Sequence, residues 1–566
     1  MINRREFLGP AAAALGMKLA GRYHGPATVP GSNPPGEPSS RSLSATDASH
    51  VHNIRDFGAA GDGATLDTAA ITQAIAACVK AGGGTVVVPA GTFLTGTLRL
   101  ESDIHLRLEA GARLLASPRL EDYSNMDAYQ SEGRTKTLIY SAHAKNIAIT
   151  GLGIIDGNDQ AFIDWDQLHT ECCYDPKFTR QGPGYAANFP AFPDGPARMR
   201  GGKEANRPGA LLMFIDCENI RVDGIEIVGA PNWCLHLALC DHVRLTGLLV
   251  ANNLLVPNAG AIDVSKCSNV VIANCDLTSG DDGISIATCA DGFGRKVAEN
   301  FVVSNCTIVS RSAGIRIGWS DDNIQNCTFQ NLVITANRGI GIFARHDEVI
   351  QNLIFSDIVI KTRLHTGWWG SGDPVHISQI PLGTLHGLSS VGKKPGAIRH
   401  IQFNNLIVES EQGMVVYAFD AGAISDVTFR NIHMLFKRSP LHERYGGNFD
   451  LRPAFKNEYG VFAHDIPALY ALNCRGLTID GFDLKWEDGL PAFVTDGIHA
   501  EHFEDLTIRD FNGAPPPSPA YGFAIHLANG NGATLGDIRG ADTKRLLRTD
   551  NVQNLRSFSG ASNRNK

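Results

Sequence analysis

Between about residue 220 and residue 512 the chain repeats one local pattern: alternating apolar and polar positions, then Gly, Asn or Asp, then a second short apolar run. The segments VDGIEI, LTGLLV, IANCDL, VSNCTI, FQNLVI, FSDIVI, FNNLIV, FRNIHM, IDGFDL and IRDFNG carry that turn residue at 224, 247, 274, 305, 331, 357, 405, 431, 481 and 510. Alternation of period two predicts half-buried strands, and Gly, Asn and Asp predict tight turns between them. The spacing runs from 23 to 31 residues, except for 48 after 357 and 50 after 431, where one coil lacks the motif or carries a loop. A repeat of this length predicts an all-β chain, a parallel β-helix in which each coil stacks on the last.

Ahead of the repeat, Asp67 or Thr68 can cap a helix whose apolar positions Ala70, Ile71, Ala74, Ile75, Cys78 and Val79 fall at helical spacing, and Gly82-Gly83-Gly84 ends it. Val86-Val87-Val88 then reads as a buried strand, so the helix is expected to cap the end of the solenoid. One β-helix domain is expected over 51–545, followed by a tail at 546–566. Two insertions, near 157–207 and 363–397, are rich in Gly, Pro and aromatic residues. Long loops on a regular scaffold usually carry function.

Composition adds exclusions rather than a fold. A net charge of −8 argues against a nucleic-acid partner. Arg4-Arg5, Phe7-Leu8 and a short Ala-rich run over 1–24 look like a twin-arginine export signal, too short to span a bilayer. A Pro-, Gly- and Ser-rich linker follows over 25–50. The expectation is a periplasmic or extracellular monomer without a membrane span. Twelve cysteines in 566 residues do not make a disulfide scaffold. Cys217, Cys240 and Cys267 open coils and Cys275, Cys306 and Cys327 sit near strand ends, which suits stacked apolar thiols. Cys172-Cys173 has no partner that sequence can name. No CxxC pair or zinc-like His/Cys spacing occurs, and no metal or cofactor is expected.

Candidate chemistry concentrates in NAGAIDVSKCSNVVIANCDLTSGDDGISI, residues 258–286, with its carboxylate pair Asp281-Asp282. Adjacent like charges raise one pKa, which suits a group that must donate a proton near neutral pH. Asp-Asp-Gly also makes an ordinary turn. Trp368-Trp369 offers a sugar-stacking platform or, equally, the packing of its own loop.

The NIRDFGAAGDG opening, VVVPAGTF, the repeat and SGDDGISI after an N-x-x-x-I-D strand together resemble glycoside hydrolase family 28, the polygalacturonase-like pectinases, over residues 52–510. The resemblance implies a right-handed parallel β-helix that hydrolyses a pectin-like polysaccharide with inversion. It also implies Asp282 as general acid and Asp281 as base. The match is partial. Asn258 and Asp263 stand at the ends of the family's first motif, but its catalytic acid position is Gly260. The Gly-His-Gly position reads Ser312-Ala313-Gly314, and the Arg-Ile-Lys position reads Gly341-Ile342-Phe343.

Aligning Ile262, Ile284, Ile315 and Ile340 puts Gly260, Asp282, Ala313 and Arg338 in one column. The next outward column is Asp263, Ser285, Arg316 and Gly341. Asp263 then becomes a candidate second base or water-positioner. Asn258, Arg316, Arg338, Arg345, His346, Trp368 and Trp369 are candidate substrate contacts, although the arginines could instead pair with acids structurally. Two other functions remain open from sequence. One is a polysaccharide lyase with Arg316 or Arg338 as base and calcium on Asp281, Asp282 and Asp263. The other is a non-catalytic glycan-binding β-helix.

Overall fold

The computed structural model describes residues 50–126, 134–168, 175–187, 197–199, 206–286, 297–319, 323–365, 368–382, 384–385, 388–389, 396–516, 521–540 and 543–558. The expected export signal, the linker up to residue 49 and Cys172-Cys173 lie outside these residues.

The chain folds as a right-handed parallel β-helix. Among the described residues one parallel sheet has 14 strands, and a second, of 24, forms the remaining faces. The reason lies in the turns. All ten repeat residues from Gly224 to Asp510 have left-handed backbones, with φ between 50° at Asp510 and 77° at Gly481. Only glycine, or a short polar residue that bonds locally, visits that region cheaply. The same side chains join coil to coil. Asn305 and Asn331 each donate to the Asn one coil before at 3.2 Å, and Asn405 donates to Asp357 at 2.9 Å.

The two long gaps are single coils carrying loops, since Ile358 pairs directly with Leu406 and Ile432 with Phe482. The stretch 363–397 is nevertheless not one loop. Val375–Gln379 within it is a rung, paired with Arg338–Ala344 on one side and Met414–Ala418 on the other. A further insertion that the pattern did not single out fills 437–468, with a short helix, His442–Tyr445, and a hairpin of Asn448–Asp450 with Val461–Ala463. The ladder also runs past residue 545, where a tail was expected. Leu547–Asp550 and Gln553–Phe558 still pair parallel with the preceding coil.

The helix Thr68–Lys80 buries Ala70, Ile71, Ala74, Ile75 and Cys78 against the first coils, while Val79 faces solvent. Asp67 precedes this helix without capping it, because its carboxylate accepts the Ala60 and Gly61 N–H groups at 2.7 and 3.0 Å. Inside the solenoid, Phe329, Phe355, Phe403 and Phe429 stack at 4.7, 4.8 and 4.9 Å. The six repeat cysteines are buried free thiols.

Candidate active site

Six successive strands of the smaller sheet frame the site: β1 (Leu235–Ala238), β2 (Ile262–Ser265), β3 (Ile284–Ile286), β4 (Ala313–Gly318), β5 (Arg338–Ala344) and β6 (Val375–Gln379). Ile262, Ile284, Ile315 and Ile340 register as the repeat predicts and point into the core. Side chains alternate along a strand. The neighbouring position therefore forms an outward column of His236, Asp263, Ser285, Arg316, Gly341 and His376.

Asp281 and Asp282 occupy the turn that enters β3. The Asp281 carbonyl accepts the Ser279 and Ser310 hydroxyls at 2.8 and 2.6 Å, which fixes the turn. Asp282 is heavily partnered. Its Oδ1 accepts the Ser312 hydroxyl at 2.7 Å and the Ala313 N–H at 3.0 Å, and its Oδ2 ion-pairs with Arg316 Nε. Arg316 also feels the charges of Asp263 and Asp281. The cation among these three acids is thus supplied by the chain itself, where a lyase would need calcium.

The two carboxyls are unequal. Burial first, and the Asp282 charge second, push Asp281 up to about 8, against the pull of Arg316, Ser312 and Trp368. Asp282, which the resemblance makes the general acid, is thus the ion-paired member, and burial favours the protonated form of Asp281. The cause is placement, because Arg316, Ser312 and the Ala313 N–H all converge on the second acid.

Gly260 is where the family's first acid is missing. A Cβ built there would lie 2.8 Å from Asp263 Oδ2. The Asp263 carboxylate thus occupies the space beside residue 260 that an acidic side chain there would enter. Asn258 holds the same loop, its side-chain Oδ1 accepting from Arg207 at 3.3 Å, while Arg207 also donates to the backbone carbonyls of Pro231 and Pro257.

Three expected substrate contacts are not in the cleft. Arg338 is buried, ion-paired to Asp373 at 2.5 Å and donating to the Asp450 carbonyl at 2.8 Å. Arg345 is buried and donates to the Ser378 and Leu451 carbonyls at 2.9 and 3.0 Å. His346 is buried beside Glu348, whose carboxylate accepts its N–H at 2.7 Å. The insertion at 437–468 covers this part of the sheet and brings Asp450 and Leu451 as acceptors. A buried guanidinium requires such acceptors.

Trp368 and Trp369 are half-buried beside the acids, and Trp319 joins them at 5.3 Å from Trp369. Arg316 lies over Trp319 at 5.1 Å, and Arg452 over Trp369 at 5.1 Å. Trp319 has φ 76°, a strained conformation for a bulky residue, in the segment leaving β4. Asp450 ion-pairs with Arg452, which donates to the Trp368 carbonyl at 2.9 Å. Trp319, Ser312, Arg207 and Arg452 were not singled out from sequence. Only Ser312 was visible, as the residue beside Ala313, the place of a lost histidine.

All three insertions enter the smaller sheet at one edge, before Leu212–Ile215, Val375–Gln379 and Leu469–Leu472, as Asp281-Asp282 do before β3. Tyr185, Leu364, Tyr445 and Val461, drawn from these insertions, pack into one cluster. Ile163 packs on Ala259, next to Gly260. The result is a carboxyl whose burial favours its protonated form beside an ion-paired one, flanked by indoles and walled by loops.

Residues 78–342 match the family described as "Glycosyl hydrolases family 28". An exo-poly-alpha-D-galacturonosidase of Dickeya chrysanthemi is 43% identical over 262 residues, 42% of this chain and 42% of that protein. A probable polygalacturonase of Vitis vinifera is 26% identical over 257 residues, covering 43% of this chain and 46% of the relative. The chain thus spans less than half the length of either relative. The solved structure of a family 28 exopolygalacturonase from Yersinia enterocolitica shares the fold, with a TM-score of 0.55 and 16% identity over 90% of this chain and 79% of that one.

Proposed function

We propose that the chain, which resembles glycosyl hydrolase family 28 over residues 78–342, hydrolyses glycosidic bonds of a galacturonate-containing polysaccharide with inversion, Asp281 being the general acid. Asp281 gives its proton to the glycosidic oxygen as the bond from that oxygen to the anomeric carbon breaks. A water attacks the anomeric carbon from the opposite face and yields its proton to the carboxylate side, where Asp282 and Asp263 flank Arg316. Arg316 keeps the charge on Asp282 and so leaves the transferable proton on Asp281. Trp319, Trp368 and Trp369 supply apolar faces for the sugar rings.

The observation that carries this reading is the inequality of the pair, one buried acid raised to about 8 beside one ion-paired carboxylate. Paired titratable groups pushed apart by their surroundings are the mark of acid/base catalysis. The experiment compares wild type with Asp281→Asn on a panel of pectic polysaccharides, reading reducing ends and ultraviolet absorbance. Reducing ends without absorbance, lost in the variant, are expected. An ultraviolet-absorbing product would mean a lyase, and an unchanged variant would remove Asp281 from the reaction.

The walling of one sheet edge by three insertions supports attack from chain ends. Product-size analysis showing mid-chain cuts would overturn that part. Export to the periplasm or beyond through Arg4-Arg5 belongs to the same reading; finding the unprocessed chain in the cytoplasm would remove it.

A further inference from the structure

The outward column that holds Asp263 and Arg316 continues through Gly341, His376, Val415 and Tyr470 to His499 and His526. His499 is five rungs past Arg316, about 24 Å at roughly 4.8 Å per rung. There the two imidazoles stack, with centroids 4.3 Å apart and planes 19° from parallel. Asp496, in the turn entering the His499 strand, aims Oδ2 between them, at 3.8 Å from His499 Nδ1 and 3.7 Å from His526 Nδ1. Its other oxygen is already used, accepting the Phe523 N–H at 2.7 Å.

Those two separations are too long for hydrogen bonds. Two ligand atoms on one ion, with bonds of about 2.1 Å meeting at a tetrahedral angle, sit about 3.4 Å apart. The ligand atoms of the three residues all lie within 4.8 Å of one another. A contraction of a few tenths of an ångström on the two Asp496 separations, and of no more than about 1.4 Å between the histidine nitrogens, would bring them onto a shared ion. We propose that Asp496, His499 and His526 bind a divalent transition-metal ion of the zinc type, remote from the acid pair.

The surroundings suit an ion. Asp550 accepts from His526 Nε2 at 2.9 Å, and Arg548 Nε holds Asp550 at 2.7 Å. That arrangement leaves the His526 Nδ1 lone pair facing Asp496, and a carboxylate behind a ligand histidine is the usual orienting partner. Among the described residues His499 Nε2 is buried without a hydrogen-bond partner. A turn of the ring can present either nitrogen to the ion. Three protein ligands leave one position for water. Because they come from adjacent coils, the ion would tie the C-terminal rungs together.

The test uses the untagged full chain, stripped with a chelator and titrated with Zn²⁺, with metal content read after gel filtration and Tm read alongside. One equivalent of zinc retained and a raised Tm are expected, both lost in His499→Ala and His526→Ala. Co²⁺ should give the visible bands of a low-coordinate nitrogen/oxygen site. Asp550→Asn, which removes no ligand, should weaken zinc affinity by about 10–100-fold. Asp281→Asn should keep the ion. Failure of folded wild type to retain zinc would overturn the site. So would wild-type affinity in Asp550→Asn together with an unchanged stoichiometry in the histidine variants.

Discussion

Gly260→Ala isolates the position of one carboxylate without removing any polar group. The backbone tolerates the change, because Gly260 is outside the left-handed region that strains other residues. The new methyl would stand 2.8 Å from Asp263 Oδ2 and 3.5 Å from its other oxygen. Ordinary contact needs more, so the carboxylate must retreat by about half an ångström. Retreat costs little energy, since the obstacle is the far end of a side chain. Restricting the unfolded chain adds about 0.4–1 kcal/mol of stability in compensation.

Stability should therefore stay within about 1 kcal/mol of wild type. Activity should not. A misplacement of 1 Å at a reacting group can cost about 10²-fold, so half of that predicts a kcat lower by about 10-fold. KM should change little, because Trp319, Trp368 and Trp369 do not move. Urea denaturation and steady-state kinetics on polygalacturonate read both quantities. Wild-type kcat in a stable Gly260→Ala protein would mean that the place of the Asp263 carboxylate is immaterial, and Asp263 would lose its part in the reaction.

Asp281→Asn should lower kcat by about 10²–10⁴-fold, the usual worth of a general acid. In wild type, kcat/KM should fall as pH rises past about 8, where Asp281 loses its proton. Stability should follow the same group: its folded value lies above 3.8, so the native state binds the extra proton, and unfolding free energy should drop between about pH 4 and about 8. A pH series of urea midpoints that rises over that window would contradict the assignment. Arg316→Gln strands the buried Asp282 charge and should cost about 3–5 kcal/mol near pH 7; an unchanged urea midpoint would refute it. Phe355→Ala opens the aromatic stack between Phe329 and Phe403 and should cost about 3–5 kcal/mol in denaturant titration.

The contrast between what the sequence revealed and what it hid follows the range of the interactions. The coil repeat was legible because each turn needs a left-handed residue, and that need writes Gly, Asn or Asp into the chain at all ten positions from 224 to 510. The alignment of Ile262 with Ile284, Ile315 and Ile340 was legible for a related reason: a one-residue slip would turn an apolar column out of the core. Electrostatic roles were not. Asp281 and Asp282 are neighbours with the same side chain, and what separates them is contributed by Ser312, Ala313 and Arg316, some 30 residues on and one coil away. Arg338 and Arg345 looked like cleft cations because their rungs are right. Their partners are the Asp450 and Leu451 carbonyls, from an insertion about 110 residues further along whose landing place no local pattern encodes. Asp496, His499 and His526 escaped for the same reason, since stacked coils join donors that sequence spacing separates. In a solenoid the scaffold is written by local rules and read locally, whereas each charge is set by the coil above, the coil below and the loops that cover them.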